Sequence, residues 1–292
     1  MKNFGPVITE MVTPFDEYNQ VDMTALRKLV LHLIASGSTS LALTCIAGEA
    51  PCLSITERIR IWETTVDFAG GTLPILAEIG TNCTKTTLAN VKIAEEMGVD
   101  GLLVTVPFYN CPNQAGLLNH FKAVARSTSL PIMIQDAPER TGATLQLGTL
   151  AELLEEKNIV GLSRTGLDRE SITKLKLLAP KSFCIYGRED GSYLDTLKWG
   201  ADGIISAAPH IIGDKMLQTF ELLQAGAVQE VEKLDARLQP VYQALAASPS
   251  PISIKALMNE AGLVAGDLRS PLMALDQFES RLLYESVRGL LQ

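Results

Sequence analysis

The sequence predicts a (β/α)8 barrel carrying a C-terminal helical extension. Three observations predict it. Short runs rich in β-branched and apolar residues recur at even spacing, and each is continuous rather than alternating, as in parallel strands covered on both faces. Amphipathic helical patterns lie between them. The segments "MGVDGLLVTV" and "WGADGIISAA" repeat one design, in which a helix-ending glycine and an Asp-Gly turn lead into a buried strand.

In chain order, the first strand is Val7–Val12, followed by the helical pattern "MTALRKLVLHLIASG". The second is Ser40–Ile46 and the third Pro74–Ile79, the latter leading into "TKTTLANVKIAEEMG". Gly101–Val106 precedes "QAGLLNHFKAVARST", and Pro131–Gln135 is the fifth strand. Ile159–Ser163 leads into "DRESITKLKLLAP", whose proline is a helix stop. Phe183–Gly187 and Asp202–Ser206 complete the set. Strand and helix alternating about eight times over roughly 210 residues fit a closed barrel better than an open sheet.

Beyond this point the pattern is purely helical, through "KMLQTFELLQAGAVQEVEKLDARLQPVYQALA" to the end, with a turn at "SPSP". The predicted organisation is a barrel over residues 1–212, with helices over 213–292 packed on it or on a partner subunit.

The chain has 292 residues, 47% of them hydrophobic, enough for a full-sized core. Its formal net charge of −8 argues against a nucleic-acid groove or a polybasic membrane surface, both of which need clustered Lys and Arg. No run approaches membrane-spanning length, and "MKNFGPVITEMVTPF" lacks the continuous apolar core of a secretion signal, so a cytoplasmic protein is expected. The five cysteines show no CxxC or Cys/His metal spacing and are expected as reduced, mostly buried thiols. No metal and no cofactor are expected.

In such a barrel, catalytic side chains come from the C-terminal strand ends and the loops that follow. Those ends offer Glu10, the stretch Cys45 to Glu49, Glu78, Tyr109, Gln135 and Asp136 with Arg140, Ser163 and Arg164, Arg188 to Asp190, and Ser206 with His210. A thiolate–imidazole pair of Cys45 and His210 and simple packing of both are the two readings of that pair. Lys122, Lys174, Lys198 and Lys255 all fall in helical patterns, away from strand ends.

The segments "GPVITEMVTPF", "AGEAPCLSITER", "VPFYNCPNQAG", "PERTG", "IVGLS", "GADGIIS" and "SPISIKALMNEAGL" occur in order along nearly the whole chain. Together they resemble the dihydrodipicolinate synthase / N-acetylneuraminate lyase family of Schiff-base aldolases. The resemblance implies a (β/α)8 barrel with C-terminal helices, a homo-oligomer (dimer or tetramer), and a pocket for pyruvate or another 2-oxo acid. It implies that Arg140 binds the substrate carboxylate, that Gly48 and Glu49 lie in a loop closing on it through backbone N–H groups, and that Tyr109 is a proton-relay residue reaching across a dimer interface. Gln135, Arg164 and Ile205, at their strand ends, complete the expected substrate-binding set.

The departures from the family pattern are chemical. Where the family reads "VGIKE", this chain reads "VGLSR", which puts Ser163 at the position of the imine-forming lysine. A hydroxyl cannot form an iminium, and the Arg164 guanidinium stays protonated, so neither replaces the amine. "GTTGE" reads "CIAGE", and the tyrosine of "YNxPxRTG" becomes Gln135. Glu10 and Glu78 stand where the family has small residues. They enter either as an acid and a base, since neighbouring carboxylates push their pKa values apart, or as ion-pair partners of Arg164 or Arg188 filling vacated space. Arg140 likewise either anchors a carboxylate or pairs with Asp136 or Glu139. A divalent metal on Glu10, Glu78 and Asp136 would lack a histidine. Two functions follow: a lyase or hydratase acting on a 2-oxo acid or related small carboxylate without an imine, or an inactive small-carboxylate binding or regulatory protein.

Overall fold

The computed structural model describes residues 4–291. Eight parallel strands form a closed barrel in sequential order: β1 Val7–Glu10, β2 Ser40–Leu43, β3 Ile75–Glu78, β4 Gly101–Thr105, β5 Ile132–Asp136, β6 Ile159–Arg164, β7 Cys184–Gly187 and β8 Gly203–Ser206. The predicted (β/α)8 fold is the observed one. Most strand residues are buried, as expected when the interior is filled by side chains and the outer face is covered by helices.

The first two strands are shorter than the apolar runs that announced them. The run at Ser40–Ile46 leaves the sheet after Leu43 because Thr44 turns into the left-handed region at φ 53°. Helix starts are written locally: Asp22 accepts the Thr24 and Ala25 amides, Ser54 and Glu57 cap each other's backbone, and Asp276 does the same with Glu279.

The described residues group into two compact units. Residues 76–205 hold β4 to β7 around Leu103, Ile134, Leu162 and Ile185, all fully buried. Residues 4–75 and 206–291 form the other unit. There Leu26, Leu33, Leu41, Trp62 and Leu257 are fully buried, and helices Pro209–Gln224, Val228–Ala246, Ile252–Glu260 and Gln277–Val287 follow one another. Gly213 lies so close to Ser36 that a Cβ would come within 2.2 Å of the Ser36 carbonyl, so only glycine allows this approach. No helix among the described residues is long and apolar enough to cross a membrane.

The expectation of mostly buried thiols is corrected. All five cysteines are free, but only Cys45 is buried; Cys83 and Cys111 are exposed and Cys52 and Cys184 are half-buried. Cys83 precedes a helix as its N-cap residue and Cys111 sits in the loop after β4, positions that carry no core-facing side chain.

Candidate functional site

Within residues 76–205, side chains at five neighbouring strand ends form one hydrogen-bonded belt. It begins at Glu78, the last residue of β3. Glu78 Oε1 accepts from the Gly80 amide (2.7 Å) and the Thr105 amide (3.1 Å), while Oε2 accepts from Thr105 Oγ1 (2.8 Å). Residue 80 has to be glycine here, because a Cβ would sit 2.6 Å from both Glu78 Oε1 and the Thr105 nitrogen.

The Thr105 hydroxyl donates its proton to Glu78, so it accepts from Gln135 Nε2 at 3.1 Å. Gln135 Oε1 in turn accepts from Arg188 Nη1 at 2.9 Å, and the same nitrogen lies 3.4 Å from Ser163 Oγ. Register explains the convergence. Thr105 pairs with Gln135, Gln135 with Ser163, and Ser163 with Tyr186. Arg188 lies two residues beyond Tyr186 and so faces the same side. Gln135 and Ser163 are fully buried and Glu78 nearly so, while Arg188 is half-buried.

Thr105 and Arg188 were absent from the residues expected to bind or react. Arg188 stands among the strand-end residues of the sequence and Thr105 does not; Thr105 is placed by its register pairing with Gln135, and Arg188 by lying two residues beyond Tyr186, the partner of Ser163.

Arg164 lies apart from this belt. Adjacent strand residues face opposite sides, and Arg164 points away from Ser163 toward its register partner Asp136. Its Nε lies 3.4 Å from Asp136 Oδ2, and Nη2 donates to Thr144 Oγ1 (2.8 Å) and the Leu145 carbonyl (3.3 Å). Asp136 Oδ2 also accepts from Thr144 Oγ1 and the Leu145 amide. Burial pushes the Asp136 carboxyl upward, against the pull of Arg164 and Thr144. The guanidinium therefore fastens the loop after β5 rather than facing the belt. Arg140 lies in that loop, on the short helix Pro138–Thr141, with its side chain exposed. Tyr109 is also exposed (86%), at φ 66°, and Ile205 is buried in β8.

In the unit formed by 4–75 and 206–291, the turn after β2 is framed by two left-handed non-glycine residues, Thr44 and Glu49 at φ 53° and 55°. Each is tied down: Thr44 Oγ1 accepts from Trp62 Nε1 (3.0 Å), and Glu49 Oε2 accepts from the Arg269 amide (2.9 Å). The Lys255 ammonium lies 2.7 Å from Glu49 Oε1, donates to the Asp267 carbonyl (2.7 Å), and stands 4.4 Å from the Phe15 ring centre. Burial pushes the Lys255 amine down and Glu49 opposes that shift. This lysine is a fastener of the turn, since its donors are directed at structural partners.

The same geometry describes Glu49 itself. Its amide donates within the turn to the Ile46 carbonyl (3.1 Å), and its side chain is a buried ion-pair member. The Gly48 carbonyl accepts from Thr13 Oγ1 (2.7 Å). Glu10, buried at the end of β1, accepts the Ile46 amide on Oε1 (3.1 Å).

His210 is fully buried. Its Nε2 accepts from the Val12 amide (3.2 Å), which leaves Nδ1 as the protonated nitrogen facing the Ala207 carbonyl (2.7 Å). Burial holds this imidazole down at about 4. With its lone pair occupied it is a backbone cap, and the Cys45 thiol is directed at the Leu43 carbonyl. Among the described residues no group of three or more His, Cys, Asp or Glu is placed to hold a metal ion, and the set Glu10, Glu78 and Asp136 does not form one.

Fold and site together define a parallel (β/α)8 barrel whose chemistry-bearing side chains gather at the C-terminal strand ends. The chain belongs to the dihydrodipicolinate synthetase family, whose model matches residues 3–288. It is 38% identical over 273 residues to the 4-hydroxy-tetrahydrodipicolinate synthase of Oceanobacillus iheyensis, covering 94% of this chain and 92% of that one. The enzyme of the same name from Bacillus subtilis is 36% identical, with 99% and 100% covered. The crystal structure of a dihydrodipicolinate synthase from Bacillus anthracis superposes with a TM-score of 0.96 at 34% identity, covering 99% of each chain.

Proposed function

We propose that this protein is a lyase acting on a 2-oxo acid or related small carboxylate without forming an imine. The observation that carries the reading is the Arg188 guanidinium directed at Gln135 and Ser163, at the strand end where the family resemblance puts the Schiff-base lysine. Relatives named 4-hydroxy-tetrahydrodipicolinate synthase support a reaction of this class, and Ser163 at the lysine position supports the absence of an imine.

Without an iminium, the electron pair released by carbon–carbon cleavage, or by removal of the proton beside the oxo group before a hydroxyl departs with its own bonding pair as water, has to reside on the oxo oxygen as an enolate. A fixed guanidinium beside a hydroxyl stabilises such an oxyanion in a site that excludes water. In this reading Arg188 and Ser163 face the oxo oxygen and Arg140 takes the carboxylate as a guanidinium fork. Glu78 exchanges the proton through the Thr105 hydroxyl. Gln135 carries no ionisable proton; it orients Arg188 and Thr105. The protein works as a homo-oligomer, a reading supported by the large exposed side chain of Tyr109.

The test is a panel of 4-hydroxy-2-oxo acids and 2-oxo-3-deoxy acids, followed by release of pyruvate or water, with and without borohydride. Turnover that survives borohydride supports the proposal. Absence of turnover on the whole panel, or inactivation by borohydride in the presence of substrate, overturns it.

A further inference from the structure

We propose that the cavity between helix Met23–Ala35 and the loop after helix Ile252–Glu260 binds a small carboxylate with an aromatic or branched apolar body. The helix lines the cavity with Ala25, Leu29 and His32, spaced to share one face, and Lys28 lies beside them. Leu263 and Val264 line the cavity from the loop. The enclosed space is about 320 Å³, within the range of small-molecule pockets, roughly 300–1,000 Å³.

Both walls are fixed before any ligand arrives. Gly262 adopts φ 81° just past the helix end; its amide donates to the Asn259 carbonyl (3.1 Å) and the Leu263 amide to the Met258 carbonyl (2.8 Å), the paired bonds of a Schellman end. The Asn259 carboxamide fastens the rest of the loop, accepting the Ala265 amide on Oδ1 and donating from Nδ2 to the Gly266 carbonyl, both at 2.9 Å. On the other wall, His32 Nε2 lies 2.8 Å from the His210 carbonyl. A carbonyl only accepts, so Nε2 carries the proton and the imidazole is held in place. Walls already ordered cost a ligand little conformational entropy on binding.

Charge and polarity select the ligand. Val264 is 62% exposed and Leu263 half-buried, so an apolar body seated between them and Leu29 removes apolar surface from water. Lys28 is exposed at the rim, where its ammonium serves a carboxylate. Asp22, the acidic residue of the lining, is engaged as the helix cap: its Oδ1 accepts the Thr24 and Ala25 amides at 2.9 Å each, and the helix N-terminus offsets its charge. It stands about 9 Å along the axis from Lys28. One cation above an apolar floor complements a monocarboxylate.

This inference does not rest on the proposed reaction, since none of these residues belongs to the belt at the strand ends. Benzoate is the probe, with uncharged benzamide as its isosteric control. Both are titrated calorimetrically at fixed ionic strength into the parent, Lys28→Ala, Lys28→Arg and Arg140→Ala. The parent is expected to bind benzoate saturably, Lys28→Ala about tenfold more weakly, and Lys28→Arg nearly as well as the parent. Benzamide is expected to bind parent and Lys28→Ala equally, and Arg140→Ala to bind benzoate as the parent does. Lys28 is exposed, so its replacement leaves the fold intact. Methyl chemical shifts of Leu29, Leu263 and Val264 are expected to move with benzoate. No saturable binding, equal benzoate affinity for parent and Lys28→Ala, or unmoved methyl shifts overturn the proposal. Loss of benzoate binding in Arg140→Ala but not in Lys28→Ala also overturns it, placing the ligand at the barrel mouth instead.

Discussion

Arg188 Nη1 donates to Gln135 Oε1 at 2.9 Å, joining two side chains that are 53 residues apart in the chain. Gln135 is fully buried and its Nε2 is committed to Thr105, so the carboxamide can turn only by breaking both bonds. Arg188→Ala is expected to strip a buried carbonyl oxygen of its donor, at a cost of about 1–3 kcal/mol in stability. Loss of the oxyanion donor should also lower kcat on any turned-over oxo acid by about a hundredfold or more. Arg188→Lys should restore stability better than rate, because an ammonium replaces the charge but not the planar fork. Melting curves beside steady-state kinetics separate the two effects; a variant with full kcat removes Arg188 from the reaction.

Borohydride added in the presence of pyruvate is expected to leave the mass of the protein unchanged, because the residue at the end of β6 is a hydroxyl rather than an amine. Lys255, the buried amine of the other unit, is engaged by Glu49 and the Asp267 carbonyl. A reduced pyruvyl adduct on that lysine, found by peptide mass spectrometry, would show that those contacts open.

Ser163→Lys returns an amine to this strand end but leaves Gln135 without an ionisable proton. The variant is expected to trap pyruvate slowly under borohydride and to turn over negligibly. Burying the new ammonium beside Arg188 favours its neutral form and lowers stability. Aldolase turnover restored by this single change would show that the amine suffices without a proton relay at residue 135.

Arg140 is exposed, and its neighbour Asp136 is held by Arg164 and Thr144. If Arg140 anchors the substrate carboxylate, Arg140→Ala weakens oxo-acid binding by roughly 1.5–3 kcal/mol, or about ten- to a hundredfold, with little change in melting temperature. The opposite pattern, a lower melting temperature at unchanged affinity, assigns it to the loop alone. Calorimetric titration of parent and variant beside their melting curves distinguishes them.

The Arg269 guanidinium pairs with Glu57 and holds its carboxyl at about 2, below its ordinary value of 4.5. A folded-state pKa below the unfolded one means that the unfolded chain binds the proton more readily. The pair's stabilisation is therefore fully present above about 4.5 and is lost as pH falls toward 2. Glu57→Gln should melt lower than the parent at neutral pH, and the gap should close across that interval. A gap independent of pH would mean that the variant loses packing rather than charge.

The barrel and the helical C-terminal region were legible in the sequence alone. Continuous apolar runs can be buried on both faces only in a covered parallel sheet, and their polar ends mark one rim. The sequence also showed a serine in "VGLSR" and a glutamine in "IQDAPERTG", since residue identity needs no coordinates. The tertiary structure decided which polar group meets which. Arg164 and Arg188 are both strand-end arginines, yet only Arg188 faces Gln135 and Ser163, because side-chain direction alternates along a strand and register sets its neighbours across strands. Glu49 is fastened by Lys255 and by the amide of Arg269, which lies 220 residues away. Glu10 turns to the Ile46 amide for the same reason. Hydrogen bonds act only over about 3 Å, and only the closed fold brings residues so distant in the chain within that reach.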